Sequence, residues 1–257
     1  MANRLPLNEN AFSQPLNDDG HYYVGSMATD GCVSIDYKGG KCVNFTSKDY
    51  EYVAGFKKFL SSGHKICTRK DGLFAFSVYN DQLFNDLYNF GVTPRKSLDL
   101  ELVGDVVHNP HTWRGAIDGD GSISWSGFTP VVGLATSSIA FAVQFRCFCT
   151  EIGVKSTIYD VPSQLNLAYC VKVTSYHCKL LLETVYSAGA TAVRRKSISA
   201  REVIEFIKRK EQRGKYSSFI YQEESSKIMA LVKEQVASEF SCNELIDASI
   251  TKPLVII

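Results

Sequence analysis

The 257-residue sequence predicts an α+β fold built from a duplicated unit of order helix–β–β–α–β–β–α. Three observations carry this. The segments Tyr23-Val24-Gly25-Ser26-Met27-Ala28-Thr29-Asp30-Gly31 and Trp113-Arg114-Gly115-Ala116-Ile117-Asp118-Gly119-Asp120-Gly121 are both rich in small residues and both end in an acid followed by glycine. Each is followed by an alternating apolar-polar run of the kind a half-buried strand needs. Late in each half, Arg95-Lys96-Ser97 and Arg195-Lys196-Ser197 recur behind a glycine, Gly91 and Gly189.

With the two Asp-Gly pairs superimposed, the rest falls into register. Gly31–Asp36 matches Gly121–Ser126 as a first strand, and Val43–Ser47 matches Val132–Ser137 as a second. Amphipathic helices are expected at Tyr50–Leu60 and Ser138–Thr150, with Gly63 and Gly153 placed to cap their ends. Further strands fall at Lys65–Thr68 and Leu73–Val78, then at Lys155–Tyr159 and Leu167–Val173. The last helices of the halves fall at Asp81–Phe90 and Tyr176–Ser187. Asn109 before Pro110 is a good N-cap and first-turn pair for the second repeat, and residues 103–110 mark the boundary. The expected divisions are 1–105, 106–215 and a C-terminal extension, 216–257. In that extension Glu224–Ser238 reads as one amphipathic helix, and the apolar end Lys252–Ile257 is expected to pack on the body.

Composition narrows the class. At 45% hydrophobic and 21% charged residues, with no run of about 18 apolar residues, the chain reads as globular and without a membrane-spanning helix. Met1–Gly20 is polar and lacks the apolar core of a secretory signal. The eight cysteines form no Cys-x-x-Cys pair and read as buried thiols of an intracellular protein. A net charge of +1 argues mildly against nucleic-acid binding, but nine cations against three acids between Arg194 and Lys215 can still form a basic face.

Small residues, Gly25, Ser26 and Ala28 in one motif and Gly115, Ala116 and Gly119 in the other, let the two repeated helices pack side by side as the joint between the halves. Their C-terminal ends then bring Asp30 and Asp120 together, where the partial negative charge of the helix ends adds to the repulsion. A hard divalent cation relieves it, and paired carboxylates of this kind suit metal-dependent phosphodiester hydrolysis. Asp118 is expected to cap or pair locally, and His108 and His111 to act as capping or surface residues, not ligands. The stretch from Asp118 to Ser124 imitates a calcium loop, but Ile123 and Thr129 stand where such a loop needs glycine and glutamate. Aromatic residues could serve as base-stacking platforms for RNA, but many, such as Phe45, Phe74 and Phe76, fall at core parity, and most read as packing.

These paired motifs resemble the LAGLIDADG homing endonucleases in their single-chain, two-motif form, over roughly residues 20–210. The second motif is close to the family pattern. The first keeps the glycine and the terminal Asp-Gly but has Ala28 where an acid is common. The resemblance implies two antiparallel four-stranded sheets forming a DNA-binding saddle, with the motif helices at the joint. It implies metal binding by Asp30 and Asp120, completed by the backbone carbonyls of Thr29 and Gly119. Lys96 and Lys196 become candidates for stabilising phosphate charge or positioning water, or else for contacting the DNA backbone alone. The cofactor implied is Mg²⁺, with Mn²⁺ able to substitute and Ca²⁺ supporting binding without efficient cleavage.

Strand parity puts Val33 and Ile35 in the core and turns Ser34, Asp36 and Lys38 toward the major groove of DNA, with Ser124 and Ser126 in the second half. Alternation adds Asn44, Thr46, Arg69, Lys155, Thr157 and Lys172. The implied activity is cleavage of both strands of a long asymmetric duplex site across the minor groove, leaving 3′ overhangs. The partner is double-stranded DNA, the chain a monomer, with no membrane and no obligate protein partner. Alternatives within the same fold are an intron RNA maturase and a non-cleaving DNA-binding regulator. The expected location is intracellular: cytoplasmic and nucleoid-associated, or an organelle in a eukaryotic host.

Overall fold

The computed structural model describes residues 5–161, 168–187, 189–213 and 225–238. Helix α1, Asp18–Thr29, starts where the Asn17 side chain accepts a hydrogen bond from the Gly20 amide, and it carries Asp18 and Asp19 in its first turn. Strands β1 (Gly31–Ile35) and β2 (Lys41–Ser47), helix α2 (Tyr50–Phe59), strands β3 (Cys67–Thr68) and β4 (Phe74–Tyr79) and helix α3 (Asp81–Asn89) complete the first repeat. A 3₁₀ turn, Asp105–His108, leads into α4, Pro110–Asp120, which the Asn109 side chain caps through the His111 amide. The order then recurs: β5 (Gly121–Ser126), β6 (Thr129–Thr136), α5 (Ile139–Glu151), β7 (Thr157–Val161), β8 (Ala168–Thr174) and α6 (His177–Val185). A long helix α7, Arg194–Arg213, follows, and residues 225–238 form a last helix, α8.

Each repeat folds its strands into an antiparallel four-stranded sheet, in the orders β1-β2-β4-β3 and β5-β6-β8-β7. The register equates the halves: Gly31 pairs with Phe45 as Gly121 pairs with Leu134. One face of each sheet is apolar and packs under helices. Val33, Val43, Phe45, Phe76 and Val78 form that face in the first half, and Val132, Leu134, Val171 and Val173 in the second. The opposite faces, with Ser34, Asn44 and Ser77 in one sheet and Ser124, Thr157 and Lys172 in the other, are open. Among the described residues no helix is long and apolar enough to cross a membrane.

The joint is the crossing of α1 and α4. A Cβ placed on Gly25 would lie 1.8 Å from the Thr112 carbonyl oxygen, and one on Gly115 would lie 2.0 Å from that of Tyr22. Each glycine therefore meets the residue three positions before its counterpart, so the crossing is itself pseudo-twofold. At such a distance only glycine lets the two backbones touch.

Several elements differ from the sequence reading, each for a local reason. The first-half helix reverses at Ser61, which adopts a positive φ of 47°, and not at Gly63; Gly63 instead packs on Pro6, to whose carbonyl its amide donates. Gly153 does take the left-handed role after α5, at φ 75°. Ile35 is 55% exposed because it lies past the last core residue of β1, opposite Lys41 at the hairpin end. Phe74 is half-buried, packing edge-on against Tyr50. β3 pairs only at Cys67 and Thr68, and β7 starts at Thr157, two residues beyond Lys155. The cysteines are not all buried as expected: Cys149 and Cys178 are, but Cys32 is exposed on the face of β1 opposite Val33, Cys67 on the edge strand, and Cys147 on α5. Leu167 and Glu224, which bounded an expected strand and helix, and the tail 239–257 lie outside the described residues. Within α8, Ile228, Val232 and Val236 recur every four residues and are buried.

Replacing Gly115 with alanine forces the helix axes apart, and overpacking of this size costs about 1–3 kcal/mol. Thermal unfolding of Gly115→Ala and Gly25→Ala is expected to show both variants destabilised. A change smaller than the scatter between repeat melts would refute the close-contact account.

Candidate active site

Each motif helix stops where the chain turns sharply into a strand. A Cβ on Gly31 would lie 2.6 Å from Met27 Cα, and one on Gly121 would lie 2.5 Å from the Ile117 carbonyl oxygen. The glycine after each acid is thus a requirement of the helix-to-strand turn, and the turn leaves Asp30 and Asp120 at the two adjacent helix ends. The closeness is direct: a Cβ on Gly119 would sit 3.5 Å from the Asp30 carboxyl carbon and 2.1 Å from Thr29 Oγ1. Thr29 Oγ1 itself bonds back to the Ser26 carbonyl at 3.1 Å.

Electrostatics mark the pair. Burial raises the Asp30 carboxyl from its ordinary 3.8 to about 6; the Asp120 charge pushes the same way, while Lys196 and Arg195 oppose both. Burial raises the Asp120 carboxyl as well, against the pull of Lys96 and then Lys196. The strongest cationic influence on each acid therefore comes from a lysine of the other half.

Both lysines are buried, at 9% exposure for Lys96 and 5% for Lys196. Lys96 Nζ donates to the Gly31 carbonyl at 2.6 Å. Lys196 Nζ donates to the carbonyls of Ile117, at 3.0 Å, and Gly121. Each ammonium thus anchors on the motif end of its own half. Burial lowers the pKa of both, with nearby carboxylates opposing. The backbones that deliver them differ. Lys96 lies in a turn after Arg95, whose φ is 61°, whereas Lys196 lies in the first turn of α7.

Among the described residues no cluster of three or more His, Cys, Asp or Glu forms a complete metal-ligand set. The site supplies two hard carboxylates in mutual repulsion, and that donor set fits Mg²⁺, which binds through one or two carboxylates and substrate phosphates. Asp118 does not pair locally. Its buried carboxylate accepts from Tyr22 Oη (2.8 Å), Tyr186 Oη (2.6 Å) and the Val193 amide (2.7 Å), all far off in sequence. Burial raises its pKa, against those three hydrogen bonds. His108 pairs with Glu151 on the surface, and His111 lies between Arg114 and Asp18.

The residues suggested for DNA contact divide in two. Ser34, Asn44 and Thr46 share the open face of the first sheet, where Asn44 donates to Ser77 Oγ at 2.6 Å and accepts from Thr46 at 2.9 Å. Ser124, Ser126, Thr157 and Lys172 share the open face of the second, with Lys172 over the Tyr159 ring and opposite Gly133. Four others are not on strands as expected. The Asp36 carboxylate closes the β1–β2 turn by accepting from the Lys38 and Gly40 amides, and Lys38 lies in that turn. Arg69 follows β3 and pairs with Asp71, and Lys155 precedes β7. The basic run 194–215 is also largely committed elsewhere: Arg195 pairs with Asp49, Lys208 with Glu183 and Glu205, and Arg209 with Gln235. The sequence reading missed Tyr22, Tyr186, Arg114 and Arg195 as part of this centre. The polar pair Arg114 and Asp118, one turn apart on an otherwise apolar motif, was the signal available.

Comparison with known proteins agrees with this fold. Residues 111–210 match the family model for a LAGLIDADG-like domain. No curated protein matches the chain by sequence. Among solved structures, it is similar to the meganuclease I-SmaMI bound to uncleavable DNA, with a TM-score of 0.54 and 13% identity, covering 85% of this chain and 96% of that one. It is similar to the LAGLIDADG homing endonuclease I-LtrWI bound to target DNA (TM-score 0.53, 13% identity, 85% and 98% covered). It is also similar to I-DmoI in complex with DNA and Ca (TM-score 0.51, 15% identity, 74% and 96% covered).

Folded Asp30 keeps its proton to about pH 6, whereas unfolded it loses it near 3.8, so folding binds the extra proton between those values. Stability therefore falls as pH rises through that window. Without divalent metal, Asp30→Asn is expected to stabilise the protein at pH 7 by about 1–2 kcal/mol, with the gain vanishing below about pH 4. Melting curves at the two pH values check this; equal effects at both would contradict it.

Proposed function

We propose that this chain, whose second half is a LAGLIDADG-like domain and whose fold is that of the single-chain LAGLIDADG homing endonucleases, is a site-specific DNA endonuclease that cuts both strands of duplex DNA with a divalent metal. The observation that carries the reading is the pair of acids at adjoining helix ends, each under the influence of a buried lysine from the opposite half. Two carboxylates held against their own repulsion are costly without a cation to bind. A helix joint made only for stability would not place them there.

In this reading Asp30 and Asp120, with the carbonyls of Thr29 and Gly119, would hold the metal. Mg²⁺ would supply Lewis-acid stabilisation of the charge that develops on the phosphate, a role Mn²⁺ can also fill. The metals accord with I-DmoI structures that hold target DNA in the presence of Mg and of Mn, and with one in complex with DNA and Ca. Lys96 and Lys196 add fixed positive charge beside each acid, already desolvated and anchored, so that little reorganisation is needed as phosphate charge builds. The pseudo-twofold axis relates two such centres, one for each strand; cleavage across the minor groove with 3′ overhangs is what the resemblance to the LAGLIDADG homing endonucleases implies.

The open sheet faces are the base-reading surfaces. Their side chains differ between halves: Asn44 lies where the second sheet has Gly133, and Ser77 where it has Lys172. An asymmetric target is the natural consequence, since an amide and an ammonium favour different base edges. The chain acts on duplex DNA as a monomer, within the cell.

Asp30→Asn and Asp120→Asn are each expected to abolish double-strand cutting while duplex binding persists, as read by cleavage gels and by mobility shift in Ca²⁺. Full cutting by either variant would remove that acid from the site. Loss of duplex binding by the native chain, with retention of intron RNA binding, would favour the maturase reading instead.

A further inference from the structure

The two halves deliver their lysines by different means, and the difference resides in α4. Arg114 and Asp118 stand one helical turn apart, and both are 1% exposed. Their counterparts in α1 are Val24 and Ala28, which have nothing to offer a polar group. Arg114 donates to the carbonyls of Thr191, at 2.7 Å, and Val185, at 3.0 Å, gripping both ends of the segment that joins α6 to α7. Asp118 takes the Val193 amide at 2.7 Å and the Tyr186 hydroxyl at 2.6 Å, from the same segment. Arg114 also stacks over the Tyr22 ring, whose hydroxyl completes the Asp118 shell.

That segment fixes where α7 begins. The Val193 carbonyl accepts the Lys196 amide at 2.9 Å and the Ser197 amide at 3.0 Å, so Val193 starts the helix that carries Lys196. The Lys196 ammonium then returns to α4, to the carbonyls of Ile117 and Gly121 on either side of the Asp118–Asp120 end. Helix, segment and lysine close into one loop of hydrogen bonds. A turn containing Arg95 at positive φ carries Lys96 instead.

We propose that Arg114 and Asp118 are positioning residues that clamp the α6–α7 segment and so place Lys196, while Lys96 is held without such a clamp. The inference deepens the endonuclease reading and, for its effect on cutting, rests on it. The two cleavage centres are then mechanically unequal. Loosening the clamp disturbs the lysine of one half and leaves the other in place, an asymmetry that a merely structural network would not produce.

The direct test is the accessibility of the two lysines, read by reductive methylation and mass spectrometry of the intact chain. Asp118→Asn is expected to raise labelling of Lys196 by roughly ten- to a hundredfold, the equivalent of losing one hydrogen bond to a charged group, with Lys96 unchanged. Tyr186→Phe, which removes only a hydroxyl and keeps the fold should Asp118→Asn not, is expected to raise the same lysine by a smaller factor. Unchanged Lys196 labelling in both variants overturns the proposal, as does an equal rise at Lys96. In strand-resolved cleavage, Asp118→Asn should slow chiefly the strand that Lys196→Met slows, not the one that Lys96→Met slows; equal slowing of both strands overturns the clamp. A native chain that cuts no duplex overturns the endonuclease reading alone, and the labelling still decides the clamp.

Discussion

The close crossing of α1 and α4 is the constraint on which the rest of the structure depends. Gly25 and Gly115 let the two backbones meet with no side chain between them. Because each glycine contacts the residue three before its counterpart, the helices cross about a local twofold, and their C-terminal ends emerge together. The Asp30–Asp120 pairing follows, and so does the placement of the two sheets on either side. A wider crossing would separate the acids.

That geometry concentrates like charge. Two carboxylates stand at the negative ends of two helices, in surroundings that favour their neutral forms. Two buried lysines offset part of this, but each is itself desolvated and bound to backbone carbonyls. The centre is thus strained electrostatically before anything binds, and in the proposed function a cation with phosphate ligands is the partner that would relieve it. Function and stability pull in opposite directions here, as is common where charged groups are pre-arranged for chemistry.

The duplication was legible in the sequence because the features that carry it are local. An acid followed by glycine marks a helix-to-strand turn that admits no Cβ, and period-two alternation marks sheets with one open face. Lys96 and Lys196 were legible through the shared Arg-Lys-Ser. What the sequence hid is long-range or depends on backbone detail. Asp118 binds partners 68 to 96 residues away, and no local pattern reports them. Lys38 and Arg69 fell on turns because hairpin length, not side-chain alternation, decides where a strand ends. Ser61 took the left-handed position because the chain needed it one residue after the helix cap, too early for Gly63. The basic run 194–215 promised an open cationic face, but much of it pairs with acids of α6, α7 and the first half once the helices are packed.

The halves are alike in topology and unlike in chemistry: one sheet face centres on Asn44 and Ser77, the other on Lys172, and only one lysine is delivered by a helix. Such a molecule suits an asymmetric duplex. The most direct measurement incubates the protein and Mg²⁺ with a randomised duplex library and sequences the cut ends. The account predicts one long asymmetric consensus, both strands cut at a fixed stagger about its centre. Uncut libraries with Mg²⁺ and with Mn²⁺, from protein that is folded, would contradict it.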